Sequence, residues 1–417
     1  MNGPVNGTVS RVVDVLVVGA GPAGLAAAAR LAARGAGRVL VLDREQQPGG
    51  VPRHCEHRGF GPPGRRWTGP EYAARAAEAA VGAGAELRTG ATVLGWAGPH
   101  TLDTTGPEGP ERITARAVVL ATGARERSRS ARLVPGTRPA GVLTTGELQQ
   151  AVYLYGRPVG RRAVIVGAEP VAYAALDALR RAGARPLAMV TGLPRSQAPL
   201  ARAQRARLLG GVPLLTGAQV TELLGRPRLT GIRLRRGDGR STVLACDTVV
   251  FTGDFTPENE LARRGGITLD AGTRGPAVDA AFRTAQPGVF AVGSVLHAAE
   301  SARVAAHEGA LAARSVLRHL TGPAGWPDAD AVTVRTELPL RWSVPNRLTP
   351  GAPVAGTFLL RTHRFLTRPT LRVTQDGRTL HRERHHRTAV PGRPVPLAGV
   401  WIPRVDPDGG PVWVGVG

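Results

Sequence analysis

Lysine is absent from all 417 residues, and every one of the 54 basic Lys/Arg positions is arginine. So uniform a replacement points to a compositional bias of the whole genome, and it leaves a formal charge of +23. Cysteine occurs only at Cys55 and Cys246, too few for an iron–sulfur cluster or a four-cysteine zinc site, and with no C-x-x-C pair. Two cysteines in a chain of this size suit a reducing compartment. Aromatic residues make up 4%, and no basic tail or arginine/aromatic pattern of the known nucleic-acid modules is present, so nucleic acid is not an expected partner. No stretch approaches the roughly 20 continuous apolar residues of a spanning helix, so no membrane span is expected. The N-terminal apolar run leads directly into a motif the fold needs, without a cleavage site of its own, so the cytoplasm is the expected location.

What is present is length, glycine and charge. At roughly 150 residues per domain, the chain has room for two to three domains. The positive charge calls for an anionic partner, either an acidic protein subunit or an anionic cofactor.

The segment "DVLVVGAGPAGLAAAARLAARGAGRVLVLDRE" reads as strand, glycine turn, alanine-rich helix and second strand, a parallel βαβ unit. Leu25 and Leu31 face inward, and the helix ends near Gly35 and Gly37. A helix is expected over Glu71 to Gly82, then short strands and a buried strand in "ARAVVLATGAR". After a connector near Gly136 to Gly146 comes "RRAVIVGAEPVAYAALDALRRAGARPLAMVTG", so the chain repeats itself at an offset of 148 residues. "CDTVVFTGDF" is another buried strand, and "AQPGVFAVGSVLHAAESARVAAHEGALAARSVLRHL" reads as strand, glycine turn and long helix. From "GPAGWPDAD" onward, β-branched residues and turn signals at short spacing predict a small all-β domain of sandwich type.

In the first unit Gly19, Gly21 and Gly24 supply the three glycines of G-x-G-x-x-G in the required strand-to-helix setting. The first permits the tight turn, the second admits a pyrophosphate and the third lets helix and strand pack closely. The pyrophosphate would meet the free N–H groups and positive end of the helix. Asp43 ends the next strand, where a carboxylate can accept hydrogen bonds from a ribose.

"GAGPAGL", "PGG" (Pro48 to Gly50), "LATGAR" (Leu120 to Arg125), "FTGDFTPEN" (Phe251 to Asn259) and "GVFAVGS" (Gly288 to Ser294) occur in this order over residues 11–320. Together they resemble the two-dinucleotide-binding-domain flavoproteins, the group of thioredoxin-reductase-like and pyridine nucleotide-disulfide oxidoreductases. "GGVPRHCEHRGFG" and "RPAGVLTTGELQQAVYLYGRPVG" are most similar to FAD-containing subunits of heteromeric amino-acid and opine dehydrogenases and of hydrogen cyanide synthase, and to small partners of glycerol-3-phosphate-dehydrogenase-like proteins. The resemblance implies an α/β fold of two Rossmann-like nucleotide-binding domains plus the small C-terminal all-β domain. The FAD domain would be discontinuous, residues 1–125 and 250–322, around an NAD(P)-binding-like domain at 126–249, with the β domain at 327–417. It implies FAD contacts from Gly19, Gly21, Pro22, Ala23, Gly24, Asp43, Arg44, Gly50, Ala121, Thr122, Gly123, Gly293, Ser294 and Ser301. The family usually has aspartate at the position of Ser294, beside the flavin's ribityl chain; a hydroxyl there still donates and accepts. The helix starting near Glu300 and Ser301 would aim its positive end at the flavin's pyrimidine edge.

The second turn, "VIVGAEPVAY", has Glu169 in the second glycine position, Ala172 in the third and Thr191 in the place of Asp43. Alanine in the third position is tolerated. A carboxylate in the second adds bulk and negative charge where a pyrophosphate would lie, unless it turns outward into solvent. Arg195 could attract a 2′-phosphate, so NAD(P) binding is left open, with a structural Rossmann shell preferred.

His54, Cys55, Glu56 and His57 follow the glycine pair. By position, Cys55 could serve as a thiolate or His57 as a general base, or the loop could be hydrogen-bonded and without chemistry. Adjacent residues rarely converge on one ion, so no metal site is expected. His297, Glu300 and His307 flank the other flavin segment as further acid–base candidates or as core and surface residues. The expected function is an FAD-dependent oxidoreductase, or its flavin-bearing subunit, moving hydride or electrons between an acceptor and either a small-molecule substrate or a partner dehydrogenase subunit. The alternatives are an NAD(P)H-dependent flavin reductase with a ferredoxin- or quinone-like acceptor, and a basic flavoprotein scaffold without turnover.

Overall fold

The computed structural model describes residues 9–298, 300–322, 326, 331–349 and 357–417. The first four residues of the expected β domain, 327–330, lie outside the described residues. The chain divides into two compact units: one of Met1–Arg53, Gly59–Arg125 and Thr256–Gly417, the other of His54–Arg58 and Glu126–Phe255. The protein is α/β, with parallel sheets in both units.

The first unit begins with β1 (Val9–Val18), α1 (Pro22–Ala32) and β2 (Val39–Leu42). The inner half of β1 and all of β2 are buried runs of Val and Leu, as expected of parallel strands covered on both faces. Helix α1 starts with Pro22 at its first position, where the missing N–H is no loss. Helix α2 (Gly69–Gly82) begins two residues before its expected start because Thr68 and Glu71 form a reciprocal capping box. Strands β3 (Glu86–Arg88), β4 (Thr92–Gly98), β5 (Thr101–Gly106) and β6 (Gly109–Leu120) complete a sheet of order β3-β2-β1-β6-β5-β4.

In the second unit the connector contributes a strand of its own, β7 (Val142–Thr144), whose apolar residues enter the sheet. It is followed by β8 (Arg162–Val166), α3 (Pro170–Arg181), β9 (Arg185–Val190) and β10 (Leu214–Leu215). An antiparallel trio, β11 (Ala218–Leu224), β12 (Gly231–Arg236) and β13 (Ser241–Leu244), precedes β14 (Thr248–Phe251). The main sheet has the order β7-β14-β8-β9-β10, all parallel, with an apolar cluster on each side.

Back in the first unit, β15 (Val289–Ala291) pairs in parallel with β6 as the seventh strand of the large sheet. The expected long helix starts beside Glu300 and Ser301, as α4 (Ala302–Thr321), and a short helix, Ser294–His297, ending at Ala298, precedes it. One face of the sheet is covered by α1 and α4, whose Leu25, Leu31, Ala312 and Val316 meet Val15, Val17 and Val41. The closing segment forms two sheets around one core. One holds β16 (Val332–Thr336), β18 (Arg347–Leu348), β20 (Thr370–Gln375), β21 (Arg378–Arg384) and β23 (Val412–Val416). The other holds β17 (Leu340–Val344), β19 (Thr357–Thr362) and β22 (Val395–Ala398), with Phe358, Leu360 and Trp401 fully buried between them. This segment also packs on the rest of the first unit: Trp342 and Val344 share a core with Val278, Val295 and Leu296, and Asn346 Oδ1 accepts the Val278 N–H at 2.8 Å.

Candidate functional site

The first glycine turn closes on itself at the C-terminal ends of β1, β2 and β6. Gly19 has φ +109° and donates to the Leu42 carbonyl at 2.8 Å. A side chain on Gly24 would collide with the Gly19 carbonyl, and one on Gly19 with the Ala121 carbonyl. Around Gly21, by contrast, a Cβ would meet no atom within 4 Å. The free space thus lies at the start of α1, where the unpaired N–H groups of the first turn point.

Asp43 braces this turn. Its Oδ2 accepts the Ala20 N–H at 2.6 Å and its Oδ1 the Glu45 N–H at 2.9 Å. Burial raises its carboxyl above the ordinary value, against these two hydrogen bonds, which favour the anion. Gly50 approaches the same turn, so a Cβ there would stand 3.0 Å from Gly21 Cα. Thr122 Oγ1 donates to the Glu258 carbonyl at 2.7 Å, and Gly123 accepts the Glu258 N–H at 2.9 Å. A groove lined by Gly19, Asp43, Arg44, Thr122, Glu258 and Arg264 opens beside the turn.

Gly293, with φ +76°, lies against Ala23: a Cβ on it would be 2.6 Å from the Ala23 Cβ. Ser294 is half-buried beside it, and Ser301 caps α4 by accepting the Val304 N–H at 3.3 Å. Gly19, Gly21, Pro22, Ala23, Gly24, Asp43, Arg44, Gly50, Ala121, Thr122, Gly123, Gly293, Ser294 and Ser301 all belong to this one unit. Glu258 is a participant the sequence reading missed. It forms ion pairs with Arg44 at 3.5 Å and Arg125 at 3.2 Å, and its only sequence signal was its place within "FTGDFTPEN".

An adenosine-bearing dinucleotide fits these residues by their chemistry. They offer an open helix start for phosphates, a carboxylate at the end of β2 for a diol and a small-residue wall at Gly293.

The second turn has the same backbone and another filling. Gly167 donates to the Val190 carbonyl at 2.8 Å, as Gly19 does to Leu42. Glu169 does not turn out to solvent. Its carboxylate folds back over its own turn, with Oε2 accepting the Ala168 N–H at 2.9 Å and Oε1 accepting the Thr252 hydroxyl. Thr191, in the place of Asp43, accepts the Leu193 N–H at 3.2 Å. Burial raises the Glu169 carboxyl above its ordinary value, opposed by Thr252, the Ala168 N–H and Arg132.

Cys55 and His57 fall in the second unit. Cys55 is buried, with Sγ 3.6 Å from Gln149 Oε1. Burial, reinforced by the charge of Glu126, pushes its thiol up to about 12. That burial favours the protonated thiol over the thiolate that was one of the expected roles for this loop. His57 is half-buried, and burial lowers its pKa, so its ring is neutral and able to accept a proton. Of the other candidates, His297 is buried against Glu308 at 3.0 Å and His307 is exposed on α4. Among the described residues, no group of three or more His, Cys, Asp or Glu is arranged to hold a metal ion, and no helix is long and apolar enough to cross a membrane.

The sequence profile described as pyridine nucleotide-disulphide oxidoreductase matches residues 13–309. An opine oxidase subunit of Agrobacterium tumefaciens (strain Ach5) is 30% identical over 73% of this chain and 66% of its own length. Its Rhizobium meliloti counterpart is 28% identical over 72% and 62%. The chain thus spans less than two thirds of these relatives. Thioredoxin reductase of Mycolicibacterium smegmatis is 30% identical over 74% of this chain and 96% of its own. In fold, the chain is similar to thioredoxin reductase from T. acidophilum (TM-score 0.63, 24% identity, 75% of this chain and all of that one).

Proposed function

Because the chain belongs to the pyridine nucleotide-disulphide oxidoreductase family, whose flavoproteins carry FAD, we propose that it is the FAD-bearing part of an oxidoreductase that takes electrons from a small organic substrate or a partner dehydrogenase subunit, and not from NAD(P)H. The names of its relatives support the class of substrate. They include subunits of opine oxidase and of sarcosine oxidase, and opines and sarcosine are both N-substituted amino acids. The positive charge of +23 would favour docking of an acidic subunit.

In this reading the N–H groups at the start of α1 receive the pyrophosphate at Gly21, and Gly24 keeps helix and strand close enough to aim them. Asp43 accepts from the ribose while holding Ala20 and Glu45 in place. Arg44 and Thr122, which line the groove, would face the adenosine side with Gly123 next to Thr122, and Ala121 and Gly50 would narrow it. Ser294 would donate to the ribityl chain, and Ser301, which caps α4, would help the start of that helix meet the pyrimidine edge. FAD, when bound, supplies the two-electron acceptor for substrate oxidation. His57, neutral through burial, suits the role of proton acceptor better than Cys55 suits that of nucleophile.

The observation that carries the proposal is Glu169. A carboxylate already bonded to Ala168 and Thr252 at the helix start leaves a second pyrophosphate facing like charge. Anaerobic addition of NADH or NADPH to the yellow protein is expected to leave the flavin oxidised. Rapid bleaching by either would overturn the proposal in favour of an NAD(P)H-dependent flavin reductase, and a colourless protein indifferent to FAD would favour the scaffold.

A further inference from the structure

Five buried side chains outside the groove form one connected group in the first unit. Glu308, on α4 and 6% exposed, accepts the Gly293 N–H through Oε2 at 3.0 Å and meets His297 Nε2 through Oε1 at 3.0 Å. The His297 ring, 2% exposed, stacks on Trp342 of β17 with centroids 5.6 Å apart and planes inclined by 15°. The Arg361 guanidinium, from β19, lies 5.2 Å over the same indole and forms an ion pair with Glu300. Two of these residues come from the closing sheets, two, His297 and Glu300, from the segment between β15 and α4, and one, Glu308, from α4 itself.

That segment is strained. Ala298 has φ +66° and ψ −149°, a region that side chains rarely occupy, and it directly follows the Ser294–His297 helix. Such a conformation persists only where its surroundings impose it, and here Glu308 grips both ends of the short helix while Trp342 blocks the ring of His297 from moving. The Ala298 carbonyl itself lies 3.2 Å from His297 Nδ1.

We propose that Glu308 and His297, clamped by Trp342 and Arg361, are positioning residues for the flavin: they fix Gly293 and Ser294, and the His297 cation balances the carboxylates behind them, which would otherwise oppose the reduced, negatively charged cofactor. This rests on the FAD reading given above.

The charged groups facing His297 are Glu308 of α4, Glu300 before α4 and Arg361 of β19, with Arg341 of β17 acting on Arg361. Burial, the largest single influence, and Arg361 both oppose the charged ring. Glu308 and then Glu300 outweigh them and hold His297 above its ordinary value. With His297 protonated, the two carboxylates are balanced by two cations. Once it loses its proton the group is net negative and opposes electron uptake nearby.

The test is the midpoint potential of bound FAD, measured spectroelectrochemically from about pH 6 to about pH 9. Glu308→Gln keeps an acceptor for Gly293 but removes the charge that keeps His297 protonated. His297→Gln keeps a donor for Glu308 without the charge. His297→Gln leaves the group net negative and is expected to lower the midpoint at neutral pH by about 30 mV, a tenfold change in the reduced-to-oxidised ratio for a two-electron couple. Glu308→Gln removes one charge of each sign and is expected to keep the midpoint near the wild-type value while abolishing its extra pH dependence. His297→Gln holding FAD at the wild-type midpoint, or Glu308→Gln keeping the wild-type pH dependence, would overturn the inference. The wild type decides independently of any substitution. Its midpoint should fall more steeply with pH than that of free FAD as His297 loses its proton, and a slope equal to that of free FAD would also overturn it. A wild-type protein that takes up no FAD sinks the FAD reading itself, which separates that failure from this one.

Discussion

The turns at Gly19 and Gly167 face the same backbone requirement and meet it with carboxylates from different places. In each, the N–H after the first glycine needs an acceptor. Ala20 finds it in Asp43, 23 residues downstream at the end of the next strand, and the start of α1 stays bare. Ala168 finds it in the next residue, Glu169, and the carboxylate lies across the turn. Asp43 also holds the N–H two residues on, and Thr191 retains that second task alone. Moving one carboxylate therefore preserves the βαβ unit and removes the vacancy a phosphate needs. Fold and ligand site are separable here at the level of a single side chain.

The harshest way to break the contrast is to write the second turn into the first. Gly21→Glu meets no atom within 4 Å of its Cβ, so the apo protein should keep its melting temperature. A carboxylate roughly 4 Å from the pyrophosphate at an effective dielectric near 20 should oppose it by about 4 kcal/mol. FAD affinity should then fall on the order of a thousandfold, as read by fluorescence titration. Unchanged affinity would mean that the phosphates do not approach Gly21.

The reverse exchange tests the backbone role. Glu169→Gly leaves the Ala168 N–H without its side-chain acceptor and the Thr252 hydroxyl with the Val166 carbonyl at 3.2 Å, and should destabilise the protein by about 1–3 kcal/mol in denaturant unfolding. Adding Thr191→Asp should recover about 1 kcal/mol or more of that loss, because the new carboxylate can serve both N–H groups as Asp43 does. Strictly additive effects would show that the two positions do not share one task. The same double variant is the one in which bleaching by NAD(P)H should first emerge.

The smallest effect is in pH. Burial raises the Glu169 carboxyl above its ordinary 4.5, so the folded protein keeps a proton that the unfolded chain releases. Stability should therefore decline as pH rises from about 4.5 through the raised value. Subtracting the Glu169→Gln curve from the wild-type curve should isolate this slope. A flat difference would place the carboxyl at its solution value.

Both βαβ units were legible in the sequence, because buried Val/Leu runs, glycine turns and an offset of 148 residues are local signals. Gly19, Gly24 and Asp43 stood out for the same reason. The orientation of Glu169 did not, since it is set by Thr252, 83 residues away. Glu258 joins the first turn through Thr122, 136 residues earlier, and no periodicity announces such a pair. "HCEH" resembled a reactive loop, but the state of Cys55 depends on burial and on Glu126. The start of α4 near Glu300 and Ser301 was legible, but the short Ser294–His297 helix before it was not, since His297 stacks on Trp342 of a strand distant in the sequence.

The pairing of β15 with β6 sets a timetable for synthesis. On the ribosome, the whole second unit has been made before Val289–Ala291 exists, so its sheet can close while the first unit still lacks its seventh strand. Gly293, which walls the proposed flavin site, arrives with that strand, and Trp342, which pins the segment behind it, arrives later still. The unit whose first strand is made earliest is thus the last to be finished, and a complete site for the cofactor exists only once translation has passed the strands that brace it.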